Sequence, residues 1–144
     1  MDVMMEGEIA KRFLSGEEAV RPLIFSHGLS SNSKGYTGLA KDLASHGYLV
    51  IMLNHQDGTC MYTETKEGKP MFYQHAPVFY TKDLRINQLN IRIDEVIALI
   101  QELTDLTSGS KLYEQLFGAH SPQIKVDMDE LIFSGHSFGA MTAV

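Results

Sequence analysis

Cysteine, positive charge, long apolar runs and marks of export are all scarce in this 144-residue sequence. Cys60 is the single cysteine, so no internal disulfide framework can form, and the residue reads as a loop thiol of no consequence rather than a reactive one. Lys and Arg number 12 against 18 Asp and Glu, a formal net charge of -6. That balance argues against a nucleic-acid surface, which needs clustered cations. No apolar stretch approaches the roughly 18 residues that cross a bilayer, so no transmembrane segment is expected. The opening stretch MDVMMEGEIAKRFLSGEEAV has no apolar core of signal-peptide type, and Asp2 stands where N-myristoylation needs glycine. No Asn-x-Ser/Thr sequon occurs. Together these incline the reading to the cytoplasm without fixing a compartment. The six histidines form no His-Glu-x-x-His motif and no i, i+4 pair, so neither a metal nor another cofactor is expected.

What is present alternates. PLIFSHG holds a short apolar run, Leu23 to Ser26, that ends at a glycine turn and reads as a strand covered on both faces. Tyr36, Leu39, Ala40, Leu43 and Ala44 recur at helical spacing, with Gly47 in the place of a C-terminal cap. YLVIML, Tyr48 to Leu53, is a second buried strand. Residues 54 to 82 form a long irregular stretch with an Asp57-Gly58 turn and a charged turn tip at Lys66 to Lys69. From Asp83 to Leu103 the period is helical: Leu89, Ile93, Val96, Ile97 and Ile100 share one face, while Arg85, Arg92, Asp94 and Glu95 point elsewhere. TSGS ends this helix, a shorter one covers Lys111 to Phe117, and Glu130 to Gly135 is a third strand. Strand, helix, strand, helix, strand and a helix start define an α/β fold with a mostly parallel sheet and covering helices. One domain over 1–144 is expected, an extension over 1–20 and a core over 21–144.

Gly135-His136-Ser137-Phe138-Gly139 matches G-x-S-x-G, the nucleophile elbow. The chain turns sharply from strand to helix there, and the serine at the apex projects its hydroxyl outward. Glycines two before and two after it are needed because backbone passes too close for a Cβ. The predicted strand before the motif and the small residues Ala140 to Ala143 after it fit that turn. The plainer alternative is a Gly- and Ser-rich turn without chemistry. A serine needs an oxyanion hole as well as a base. In this fold one donor is the amide after the nucleophile, here Phe138, and another comes from a loop following an earlier strand. His27-Gly28 begins such a loop, so the Leu29 amide is the candidate second donor, with His27 a structural residue of the turn rather than the base.

PLIFSHGLSSN, LASHGYLVIMLNHQDG, IDEVIALIQEL and LIFSGHSFGA, in this order, resemble the platelet-activating factor acetylhydrolase family, calcium-independent serine phospholipases A2 of the α/β-hydrolase fold. The likeness runs from about Pro22 to Val144. It implies Ser137 as nucleophile, the Leu29 and Phe138 amides as oxyanion hole, and His27, Gly28, Gly135, His136 and Gly139 as supports of the elbow and loop. It further implies hydrolysis of the sn-2 acetyl or short acyl ester of phospholipids, without a metal.

The sequence departs from the family pattern in three places. Ala140 follows Gly139 where a second glycine is common, and Asn54 opens NHQDG where an acidic residue is expected. The third departure concerns the triad, whose order in this fold is Ser, then acid, then His. His46, His55, His75 and His120 all precede Ser137 and read as surface or loop residues. The expectation is therefore a hydrolase domain truncated after its nucleophile elbow. The alternatives are a generic α/β-hydrolase esterase and a non-catalytic chain that binds lipid or partners. The aromatic stretch Met71 to Tyr80 reads as a loop packed on the sheet and helix edges, with a patch meeting a lipid interface as the second reading. Phe72, Phe79 and Phe138 are candidates for an acyl pocket.

Overall fold

The computed structural model describes residues 9–65, 67–75, 82–106, 110–117 and 124–143. A three-stranded parallel sheet organises them. Its central strand is β1 (Arg21–Ser26), buried from Pro22 onward, as a strand covered on both faces must be. Beside it run β2 (Tyr48–Leu53) in the register Arg21↔Tyr48 to Ser26↔Leu53, and a strand at Ile132–Gly135 paired from Leu23↔Ile132 to Ser26↔Gly135. Between β1 and β2 the chain makes a 3₁₀ turn at Ser33–Tyr36 and a helix at Thr37–Ser45. The helix stops at Gly47, whose φ of +88° only glycine adopts without strain.

The stretch after β2, expected to be irregular, contains a hairpin of β3 (Tyr62–Glu64) and β4 (Pro70–Phe72). Three-residue strands are too short for alternation to show in a sequence. The charged tip turns at Gly68, which has a φ of +74°; Lys66 lies outside the described residues. The long helix then spans Lys82–Thr104, and a shorter one Lys111–Phe117; the breaking residues 107–109 lie outside the described residues. Numbered in chain order, the strand at Ile132–Gly135 is β5. The helices are α1 (Lys11–Leu14), α2 (Thr37–Ser45), α3 (Lys82–Thr104), α4 (Lys111–Phe117) and α5 (Phe138–Thr142). None of the described helices is long and apolar enough to cross a membrane.

The inward face of α3 is not the expected one. Gln88, Arg92, Val96 and Leu103 are buried, whereas Ile93 and Ile97 are 40% and 48% exposed. The physical reason is that the first half of the helix meets loops rather than a strand face. Those loops present carboxylate, hydroxyl and carbonyl oxygens, which a guanidinium satisfies and an isoleucine cannot. The inward stripe thus begins polar and ends apolar.

The hydrophobic cluster sits at the other end of β1. Phe13, Val20, Tyr113 and Ile124 are buried together, with Ile9, Leu49, Leu106, Phe117 and Val126 packed against them. The Tyr113 hydroxyl accepts the Ile124 N–H at 3.1 Å, and Val20 and Val126 pair by backbone hydrogen bonds of 2.8 and 3.0 Å through Lys125 and Asp127. Residues 9–20, expected as an extension, therefore contribute side chains to the core. Replacing Phe13 by Ala is expected to lower unfolding stability by about 3 kcal/mol in a urea titration, and Lys11→Ala, on the exposed side of α1, by less than about 0.5 kcal/mol. Equal effects would mean that the segment is not part of the core.

Candidate functional site

The path of the chain sets the location. From β1 the connection leads to β2 on one side; the next strand of the sheet, β5, lies on the other side, giving the order β2-β1-β5. The carboxyl ends of β1 and β5 therefore flank a switch point, the position at which open α/β sheets form their binding crevices.

Ser137 stands there, exposed, between β5 and α5, with φ 54° and ψ −118°. That conformation is strained for any residue with a Cβ. Glycine is required on both sides for steric reasons. A Cβ on Gly135 would fall 2.4 Å from the Gly139 carbonyl carbon, and one on Gly139 only 2.0 Å from the Ser26 carbonyl oxygen. The elbow is thus pressed directly onto the end of β1, and the His136 N–H donates to that same Ser26 oxygen at 3.1 Å.

The loop after β1 lies against the elbow. A Cβ on Gly28 would come within 3.3 Å of the Ser137 Cβ and 3.1 Å of His136 Nδ1. The Gly28 N–H donates to the Tyr36 hydroxyl at 3.1 Å, and that hydroxyl is also hydrogen-bonded to His136 Nδ1, 3.0 Å away. The half-buried Leu29 and Phe138 contribute no N–H to the loop and turn hydrogen bonds among the described residues. Ser30 follows with φ 53°; it and Ser137 are the non-glycine residues of positive φ among those described, and both belong to this site. Strain of this kind collects where surrounding structure over-determines the backbone, which is common at functional sites. Here Ser30 is held by its N–H to Thr59 C=O bond of 2.9 Å and by the adjoining Ser31–Cys60 bridge.

Beneath these loops lies a polar cluster that the spacing of apolar residues does not disclose. Arg92 is fully buried. Its Nε donates to Asp57 at 2.7 Å, one terminal nitrogen to the His27 carbonyl at 2.7 Å and to Ser26 Oγ at 3.2 Å, and the other to Thr59 Oγ1. Its guanidinium carbon lies 4.7 Å from the centre of the Phe138 ring, with that of Arg85 at 5.2 Å. Gln88 donates to the Asp57 carbonyl at 3.2 Å. Burial pushes the Asp57 carboxyl up, but the hydrogen bonds from Thr59 and Arg92 and the guanidinium charge outweigh it and hold the group below the usual carboxylate range.

His55, expected at a surface or loop, lies in the loop after β2 but is completely buried. Its Nδ1 donates to Glu95 at 2.6 Å and its Nε2 lies 2.7 Å from Ser26 Oγ. Serine, histidine and carboxylate are in sequence here, but Ser26 is sealed from solvent and engaged by Arg92, so no substrate reaches it. The inward residues Arg85, Gln88, Arg92 and Glu95 recur at helical spacing, and that polar stripe was the signal available in the sequence.

His27 is buried with both nitrogens engaged: Nε2 accepts the His55 N–H at 3.3 Å, so Nδ1 carries the proton and donates to the Gly28 carbonyl at 2.7 Å. Burial lowers its pKa to about 4 against the opposing bond to Gly28, and the ring is neutral. His46 is exposed at the end of α2, where Nδ1 lies 2.7 Å from the Asp42 carbonyl, and His75 is exposed against Tyr73. His120 and Phe79 lie outside the described residues, and Phe72 is exposed on the hairpin, 5.5 Å from Tyr62 between ring centres. No group of three His, Cys, Asp or Glu side chains suited to a metal occurs among the described residues.

A strand-to-helix turn with a strained exposed serine, pressed on the loop of a neighbouring parallel strand, defines the class. The family model described as platelet-activating factor acetylhydrolase, isoform II, matches residues 4–144, and the chain belongs to that family. It is 28% identical over 135 residues to the platelet-activating factor acetylhydrolase of Bos taurus, covering 85% of this chain and 30% of the relative. It is 28% identical over 143 residues to a Schizosaccharomyces pombe protein provisionally named phospholipase A2 (83% and 33%), and 26% identical over 142 to the acetylhydrolase of Gallus gallus (85% and 34%). The chain spans about a third of the length of these curated relatives. Their names make this a family of hydrolases.

A neutral buried His27 has a consequence for acid stability. The unfolded chain binds its proton near pH 6.5 and the folded chain only near pH 4. Between those values the unfolded state holds more protons, so stability falls as pH falls, by up to about 1.4 kcal/mol per unit from this group. Asp57, with its depressed carboxyl, adds a loss of the same sign at lower pH. Urea titrations between pH 7 and 4.5 should show a shallower acid loss in His27→Gln than in the wild type; parallel slopes would mean the ring is protonated in the fold.

Proposed function

We propose that Ser137 is the nucleophile of a serine esterase of the α/β-hydrolase fold, acting on the sn-2 acetyl or short acyl ester of phospholipids such as platelet-activating factor. The observation that carries this reading is the backbone of Ser137, at φ 54° on a strand-to-helix turn, with the Gly28 loop packed against it. Family membership and the names of the relatives support the substrate class. The parallel order β2-β1-β5 supports the fold assignment.

In this reading the Ser137 hydroxyl attacks the ester carbonyl carbon, and the carbonyl oxygen takes up negative charge between the N–H groups of Leu29 and Phe138. The Gly28 N–H does not compete for that role because Tyr36 holds it. Collapse of the tetrahedral species expels the lysophospholipid alkoxide, which takes a proton, and leaves an acetyl or acyl ester on Ser137 that water then hydrolyses. A base is needed for both halves. His27 and His55 are buried and engaged away from Ser137, so neither is assigned the role. In the α/β-hydrolase order the acid and then the histidine follow the serine. The proposed activity is accordingly that of a protein of the relatives' length that carries this segment.

In such a protein, Ser137→Ala should reduce acetate release from a 1-alkyl-2-acetyl phosphocholine by about 10³-fold or more, and a fluorophosphonate should label the wild-type serine and not the variant. Retained hydrolysis in Ser137→Ala would remove the reading. A preference for p-nitrophenyl acetate with no turnover of the phospholipid would favour a generic esterase.

A further inference from the structure

We propose that Arg92 is the positioning residue of the oxyanion site, setting both amide donors from below through one guanidinium. The inference rests on the assignment of Leu29 and Phe138 just given and goes beyond it, to a residue that touches neither the substrate nor the nucleophile.

The first donor is set through the peptide that precedes it. The His27 carbonyl accepts from Arg92 at 2.7 Å, while the N–H at the other end of the same peptide plane, that of Gly28, donates to Tyr36 at 3.1 Å. A peptide plane gripped at both its oxygen and its nitrogen resists rotation. The next plane, which carries the Leu29 N–H, is held at its own oxygen: the Gly28 carbonyl accepts from Nδ1 of His27, the residue whose carbonyl Arg92 holds, at 2.7 Å. Glycine at 28 would otherwise leave the second plane free to turn relative to the first, and the His27 ring bond across it carries the orientation from the Arg92-held peptide to the Leu29 N–H.

The second donor is set through a ring. The Phe138 side chain lies with its ring centre 4.7 Å from the Arg92 guanidinium carbon and 5.2 Å from that of Arg85. Guanidinium-to-ring attraction strengthens when both groups are withdrawn from water, as Arg92 fully is. The N–H of that same residue is the second donor. One side chain therefore registers two loops that are 109 residues apart in sequence, from Leu29 to Phe138.

Arg92 is in turn held. Asp57 and Thr59, from the loop after β2, take its Nε and its remaining terminal nitrogen. Only a planar fork offers donors in these divergent directions. Lysine retains the charge and a bond to Asp57 but cannot reach the His27 carbonyl, Ser26 and Thr59 together. Arg92→Lys is thus the informative change, since it keeps a cation beside the buried carboxylate and limits the loss of folding.

Donors to an oxyanion act on the transition state and contribute little to ground-state binding. In a protein of the relatives' length, normalised by fluorophosphonate titration of active serines, Arg92→Lys should lower kcat about 10²-fold with KM within about threefold. Its inhibition constant for a trifluoromethyl ketone analogue, which forms an oxyanion on the serine, should rise by a similar factor. A kcat per titrated serine within threefold of wild type would overturn the proposal, as would a loss confined to KM or to the fraction of titratable serine, since those mark a structural role alone. Ser137→Ala run in parallel separates the two assignments. If it abolishes hydrolysis while Arg92→Lys is unchanged, only the positioning role falls; if it retains hydrolysis, both fall.

Discussion

The ion pair between Arg92 and Asp57, both side chains withdrawn from solvent, is the constraint on which the rest of the site depends. Burying two charges costs several kcal/mol each, and their attraction offsets this only when the remaining donors and acceptors are also satisfied. Here they are. Ser26, His27 and Thr59 accept from its two terminal nitrogens, and no buried side-chain nitrogen or oxygen among the described residues lacks a partner. The pair joins α3 to the loops after β1 and β2, and through the Phe138 ring it reaches the turn after β5. A hydrophobic contact could hold these segments near one another, but it is not directional. Divergent hydrogen bonds fix both distance and angle, and the strained backbones of Ser30 and Ser137 need both.

A second layer reinforces the first from the solvent side. Tyr36 packs on Phe25 with ring centres 4.8 Å apart and spans Gly28 and His136 with its hydroxyl. The elbow and the β1 loop are therefore clasped from above by one hydroxyl and from below by one guanidinium. His55 and Glu95 extend the lower layer, with Glu95 also accepting the Gln56 N–H at 2.9 Å. These directed bonds hold the neighbourhood in the way the proposed reaction would need, with fixed dipoles already facing the atom where charge develops.

Much of this frame was readable from residues in order. YLVIML marks β2 at its true bounds, and the long helix was placed to within a residue, because continuous apolar runs and helical spacing are local properties of the chain. The elbow was readable for a different reason: its glycines are demanded by a clash at the turn itself. The inward face of α3 was misjudged because periodicity counts apolar residues and assumes that they point inside. Arg92 is buried by acceptors 33 to 66 residues away in sequence, a fact of tertiary structure. His55 was lost for the same reason, since nothing near it in the chain announces Glu95. The hairpin escaped because three residues a side carry too little pattern.

The two ends of β1 do different work. At its start, Val20 joins an apolar cluster with Phe13, Tyr113 and Ile124; at its finish, Ser26 and His27 meet Arg92. In genetic terms this one short strand separates two kinds of lesion. On the proposed function, substitutions in the apolar cluster would act through folding, as temperature-sensitive alleles do. Those in the polar cluster that preserve the fold would, on the same proposal, be defective at every temperature with normal amounts of protein. A screen that scored abundance alone would register the first group and pass over the second.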